Sequence, residues 1–158
     1  SQFQHGRVRK EYLAIVRGHP EPATGTVRTL IGRSSSNRKK MSAQPARGRR
    51  AVTHYETVQK YEAFSLVRLR IETGRTHQIR VHMAHIGHPV VGDRQYGRTR
   101  RDALPLPVER QMLHAARIAF EHPRTCEMLE FEAPLPADLR QLLRALAGRS
   151  DLLYNELT

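Results

Sequence analysis

Glu72-Thr-Gly-Arg-Thr-His-Gln-Ile-Arg-Val-His-Met-Ala-His-Ile-Gly-His-Pro-Val-Val-Gly-Asp93 is the run around which the rest of this chain is organised. Just before it, Ser65 to Ile71 alternates, with Val67, Leu69 and Ile71 on one side and Arg68 and Arg70 on the other. A period of two residues marks a half-buried strand. Thr73-Gly74 breaks that strand, and Thr73 is the expected helix N-cap. Ile79, Met83 and Ile86 then recur at helical spacing until Gly87 and Pro89 stop the helix. The predicted helix therefore opens on Arg75, Thr76, His77 and Gln78, where free backbone N–H groups and cationic side chains coincide. Such an end suits a phosphate.

Working outward, Lys10 to Arg17 is an apolar run closed by Gly18-His-Pro20 and reads as a buried strand that begins near Tyr12. Thr26 to Arg50 reads as a basic connector, loop interrupted by short strands. It carries Arg28, Arg33, Arg38, Lys39, Lys40, Arg47, Arg49 and Arg50, with no acid between Glu21 and Glu56. A solvated surface loop and a loop that tracks phosphates are both open readings of that segment. Ala51 to Gln59 is rich in β-branched and aromatic residues and is predicted to pair with Ser65–Ile71 as a hairpin. Arg94 to Val108 forms a second basic loop. Leu113–Phe120 and Glu127–Glu132 read as two further strands. Leu139, Leu142, Leu143 and Leu146 give a final helix one apolar face, ended by Gly148. The expected architecture is α+β, a mainly antiparallel mixed sheet with two helices packed on it.

With 158 residues the chain is read as one domain able to bury a sizeable core. Its 27 Lys and Arg against 15 Asp and Glu leave a net charge of +12. That imbalance points to a polyanion, and first to a nucleic acid. No apolar run approaches the roughly 20 residues that a membrane helix needs, and no basic amphipathic helix suggests a membrane surface. Cys126 is the only cysteine, which excludes an intrachain disulfide and suits a reducing cytoplasm.

The histidines at 77, 82, 85 and 88 contain no pair four apart, so their spacing argues against a helical metal site and suits contacts to nucleotides better. No phosphate-binding G-x-x-x-x-G-K-[ST] loop and no G-x-G-x-x-G fingerprint occurs, so no nucleotide cofactor is expected. Arg80 falls at the edge of the buried helix stripe, where an arginine's planar fork often meets a carboxylate. An exposed surface arginine is the alternative. Asp93, between Gly92 and Arg94, reads as a turn residue rather than a general base.

The run Glu72 to Met83, followed by Gly87-His-Pro-Val-Val-Gly-Asp93 and Tyr96-Gly97, resembles the signature of RluA/RluD-type ribosomal large-subunit pseudouridine synthases. Arg9-Lys-Glu-Tyr12, Arg38-Lys-Lys-Met41, Ala51-Val-Thr-His-Tyr55 and Leu113-His-Ala115 follow in that family's order. The resemblance implies a pseudouridine-synthase-like fold and isomerisation of uridine in ribosomal RNA, 23S by expectation, without metal or organic cofactor. It implies that Tyr12 packs on the uracil and that Arg80 pairs with a catalytic aspartate. Arg75, His77 and Gln78 would lie beside the pocket and the RNA backbone, and Ile79 and Leu113 would form its apolar wall. Arg38, Lys39 and Lys40 are the expected RNA contacts of the basic loop. The family's aspartate belongs to a His-Arg-Leu-Asp motif ahead of the Lys-x-Tyr segment, and none of these 158 residues occupies that place. The expectation is therefore that residues 1–158 are the C-terminal part of a catalytic domain, monomeric by default. A non-catalytic RNA-binding or ribosome-assembly protein on the same scaffold is the alternative.

Overall fold

Period-two alternation along the chain places side chains on both faces of a sheet, and seven strands realise it in the computed structural model, which describes residues 8–97 and 104–150. They are β1 (Arg9–Arg17), β2 (Thr24–Arg33), β3 (Met41–Ser42), β4 (Arg49–Lys60), β5 (Phe64–Ile71), β6 (Leu113–Glu121) and β7 (Met128–Glu132). Two helices, α1 (Gln78–His85) and α2 (Ala137–Ser150), complete the described elements. The strands form one sheet in the order β3-β2-β4-β5-β1-β6-β7. Every pairing between them is antiparallel. This is the expected α+β architecture, with no parallel pair among the named strands.

The sheet is covered on both faces, and the alternation decides which helix lies where. From β1 and β5, Leu13, Ile15, Phe64 and Leu66 join Leu139, Leu142, Leu143 and Leu146 of α2 in one core. The alternate residues Ala14, Val16, Val67 and Leu69 join Ile79 and Met83 of α1 in another. Ala14, Ile15, Val16, Leu66, Val67 and Leu69 are all fully buried. Each of these side chains except that of Ala14 contributes about 1.5–3 kcal/mol of transfer free energy. β1 and β5 are thus buried on both faces along their centres, although only one face of Ser65–Ile71 was expected to be apolar.

Several boundaries differ from the sequence reading. About the first third of the basic connector lies in a ten-residue strand, β2, because Val27 and Ile31 bury against α1 and β4 while Arg28 and Arg33 stay exposed. Helix α1 begins at Gln78 rather than Arg75, since residues 73–77 form a bend and turn before it. Helix α2 continues through Gly148 to Ser150.

The chain leaves α1 through Gly87, at φ 87°, and rejoins the sheet at once. Pro89 and Val91 exchange backbone hydrogen bonds with Arg17 and Ile15 beyond the end of β6. That splice fixes the loop that follows, and with it Asp93, against the first turns of α1.

Candidate active site and nucleic-acid interface

The turn from β5 into α1 is built on Gln78. Its side-chain oxygen accepts from the Thr73 hydroxyl at 2.8 Å and from the Arg75 N–H at 3.0 Å. Its side-chain nitrogen donates to the Val52 carbonyl and to Thr53 Oγ1, both at 3.0 Å. Thr73 Oγ1 in turn accepts from the Val52 N–H. Thr73 therefore clips the turn to β4 instead of capping α1. Gln78 is 3% exposed, so its amide shapes the turn from inside rather than standing open to a ligand, as was expected of it. The N-cap position falls to His77, in the left-handed region at φ 56° with no side-chain cap.

Arg80 lies one turn further along. Its Nε and Nη2 donate to Asp93 Oδ2 and Oδ1 at 2.8 and 2.9 Å, and Nη2 also reaches Gln95 Oε1 at 3.2 Å. Asp93 Oδ1 accepts the backbone N–H groups of Gln95 and Tyr96 as well. The side chains of Arg80 and Asp93 are 13% and 0% exposed. Burial pushes the Asp93 carboxyl up, but the hydrogen bonds from Arg80, Tyr96 and Gln95 outweigh it and hold the group below the ordinary carboxylate range. The same bond raises the Arg80 guanidinium. Tyr96 completes the arrangement: its ring centroid lies 5.0 Å from the Arg80 guanidinium carbon. Its hydroxyl meets His77 Nδ1 at 2.8 Å and accepts the Met41 N–H at 2.9 Å. Gln95 donates to the Lys39 carbonyl. Residues 39–41 of the basic loop are thereby tied by their backbone to the Arg80 cluster, while the side chains of Arg38 and Lys39 stay exposed and that of Lys40 is half-buried.

Asp93 is the residue that sequence reasoning undervalued. It is a turn residue, as read, and it is also the carboxylate that Arg80 meets. The signal was present, since a boundary arginine with a planar fork needs a carboxylate, but only the return of the chain at Pro89–Val91 brings this one to it.

Tyr12, Ile79 and Leu113 come together in a single apolar cluster with Ile71 and Ile86. Tyr12 stands at a β-bulge, where the β1–β6 register shifts between Glu11 and Tyr12. Bulges re-aim side chains and recur beside active sites. Partial burial raises the Tyr12 hydroxyl pKa. Arg75 sits apart from this cluster, its Nε donating to the Arg50 carbonyl at 3.0 Å.

The histidines separate by environment. His82 is fully buried between the hydroxyls of Thr29 and Thr53 at 2.9 and 2.8 Å. Desolvation lowers its pKa to about 4, so it is a neutral structural residue and cannot reach a nucleotide. His88 bonds the Arg17 carbonyl through Nδ1. His85 is exposed. Among the described residues, no three His, Cys, Asp or Glu side chains come together in a way that could hold a metal ion.

Residues 1–85, more than half of the chain, match a family model described as RNA pseudouridylate synthase. The chain belongs to the RNA pseudouridylate synthase family. It is 49% identical over 149 residues to an uncharacterised RNA pseudouridine synthase of Chloroflexus aurantiacus, covering 94% of this chain and 46% of that protein. Ribosomal large subunit pseudouridine synthase D of Zymomonas mobilis is 44% identical, with 92% and 47% covered. The human RNA pseudouridylate synthase domain containing 1 matches in structure with a TM-score of 0.71 at 33% identity, over 92% of this chain and 68% of that one. This pseudouridylate synthase chain spans about half the length of the curated relatives it matches. Tyr12, Arg38–Lys40, Arg75 and Arg80 all lie inside the matched stretch. Asp93 and Leu113 lie beyond it.

Proposed function

We propose that this chain is the part of an RNA pseudouridine synthase that receives the flipped uridine and grips the flanking RNA. The observation that carries the reading is the convergence of Tyr12, Ile79 and Leu113 in one apolar cluster beside the helix turn that bears Arg80. An aromatic ring with aliphatic walls suits a base taken out of its stack. In the isomerisation the bond from C1′ to N1 of uracil breaks, the base turns, and C1′ rejoins at C5. The C5 proton leaves and N1 gains one, so the product has the composition of the substrate. Tyr12 packs on the base. Arg80, held by Asp93, presents a fixed cation to the nucleophilic carboxylate, which belongs to a segment outside these residues. The exposed Arg38 and Lys39, with Lys40, meet phosphates. Large-subunit ribosomal RNA is the proposed substrate because relatives such as that of Zymomonas mobilis are named for it. The cytoplasm and a monomeric state fit this reading.

Release of tritium from uridine labelled at carbon 5 in ribosomal RNA tests it. The full-length protein is expected to release tritium, and residues 1–158 alone are not. Arg80→Lys in the full-length protein keeps the charge but loses the planar fork, and turnover is expected to fall about 100-fold or more while RNA binding persists. Normal turnover by that variant removes Arg80 from the mechanism, and turnover by residues 1–158 alone removes the need for an outside carboxylate.

A further inference from the structure

The end of β2, the return into β4 and the turn before α1 enclose an open surface hollow of roughly 690 Å³, lined among others by Arg33, Arg47, Arg49 and Arg75. No acid lines it. Among the described residues none of these four guanidinium groups takes part in an ion pair. Five other arginines do find carboxylates: Arg50 with Glu72, Arg68 with Glu11 and Glu56, Arg80 with Asp93, Arg110 with Asp138, Arg117 with Glu130 and Glu132. Four unneutralised cations around one concavity repel one another, and the cost falls only when an anion enters.

The backbone is arranged to hold these cations together. A Cβ at Gly32 would stand 1.9 Å from the Arg47 carbonyl oxygen, and one at Gly48 would stand 2.9 Å from the Ile31 carbonyl. Only residues without side chains allow the end of β2 and the return loop to approach so closely. That approach sets Arg47 and Arg49 beside Arg33. Arg75 is anchored across from them by its Nε on the Arg50 carbonyl, which leaves its terminal nitrogens for a ligand. Arg33 is steadied by Nη1 on the Arg38 carbonyl.

We infer that this hollow is a subsite for consecutive phosphodiesters of the RNA strand, at a place separate from the Tyr12 cluster. The inference rests on the synthase reading for its choice of RNA. A single free phosphate would share the chemistry. The hollow is open, however, and Arg33 on its wall is bonded to the Arg38 carbonyl, which brings up the exposed Arg38 and Lys39, neither of them ion-paired among the described residues, as a strand of several phosphates requires. Arginine forks suit phosphate oxygens because two N–H groups meet two oxygens in one plane.

The test is the salt dependence of RNA binding by the full-length protein and its Arg47→Ala/Arg49→Ala variant, with Arg47→Lys/Arg49→Lys as a folding and charge control. Removing one cation that neutralises a phosphate is expected to flatten the plot of log affinity against log salt by about 0.7–0.9. The double alanine variant should therefore lose about 1.5 from the slope, and the lysine variant should keep most of it. Coincident slopes for wild type and the alanine variant overturn the assignment. A lysine variant as flat as the alanine variant, with an unchanged melting curve, overturns the part given to charge alone. Inorganic phosphate is the second probe. If it displaces RNA more than chloride of equal ionic strength, and this excess vanishes in the alanine variant, the hollow is a free-phosphate site and the strand assignment falls. Tritium release by the wild-type protein is read in parallel. Its failure removes the synthase reading without touching the slopes, whereas normal release with coincident slopes removes the hollow alone.

Discussion

Asp93 shows how much one buried carboxylate can organise. It accepts two N–H groups from Arg80 and two from the backbone, and its side chain is fully buried. Asp93→Ala would leave the Arg80 guanidinium desolvated without a partner, and we expect a loss of about 3 kcal/mol in chemical denaturation. The pair also carries a pH signature. The folded pKa of Asp93 lies below its unfolded value, so its contribution is complete above that unfolded value, about pH 4, and is lost as pH falls further towards the folded one. His82 acts in a different window. Its folded pKa is about 4 against 6.5, so the unfolded chain binds the extra proton first. Stability should fall as pH drops from about 6.5 to about 4, by up to about 3 kcal/mol. In His82→Gln, which keeps polar contacts to Thr29 and Thr53, that slope should shrink. A slope of undiminished size would assign it to other groups.

At the scale of elements, the two helices are held by different means. Helix α1 has 8 residues, too few to persist alone in water, and neither a carboxylate in its first turn nor a side-chain cap assists it. Packing of Ile79, Val81 and Met83, with the Gln78 turn below, holds it in place. Helix α2 has 14 residues and an aliphatic stripe that closes the opposite face. Leu142→Ala in that stripe should cost about 2–5 kcal/mol through lost transfer energy and a cavity. Arg140→Ala on the exposed side should stay within about 0.5 kcal/mol. Equal effects in thermal melts would contradict the assigned faces. β2 is instructive in another way. Its arginines gave the segment the look of a loop, yet Val27 and Ile31 four residues apart share one face and suffice to seat it on β4.

At the scale of the molecule, the +12 charge is not spread evenly. It gathers in the run from β2 to β4 and around the start of α1, on segments carried by a sheet whose central strands are buried on both faces. That division leaves the rigid part apolar and the contact surface cationic, which is what binding a polyanion in a defined register needs. Five of the seven strands, both helices, the antiparallel hairpin of β4 and β5, and the grouping of apolar positions were legible in the chain, because burial imposes a period of two or 3.6 that the order of apolar residues displays directly. The run from Glu72 to Asp93 was distinctive enough for its family resemblance to be seen. Other features needed the folded chain. That Gln78 turns inward, that His82 is a core residue, that Arg80 meets Asp93, and that four arginines share one hollow depend on contacts between residues distant in sequence. Local periodicity sets which face a residue shares with its near neighbours. Which partner waits on that face is set by the path of the chain elsewhere, here by the splice at Pro89–Val91 and the close approach at Gly32 and Gly48.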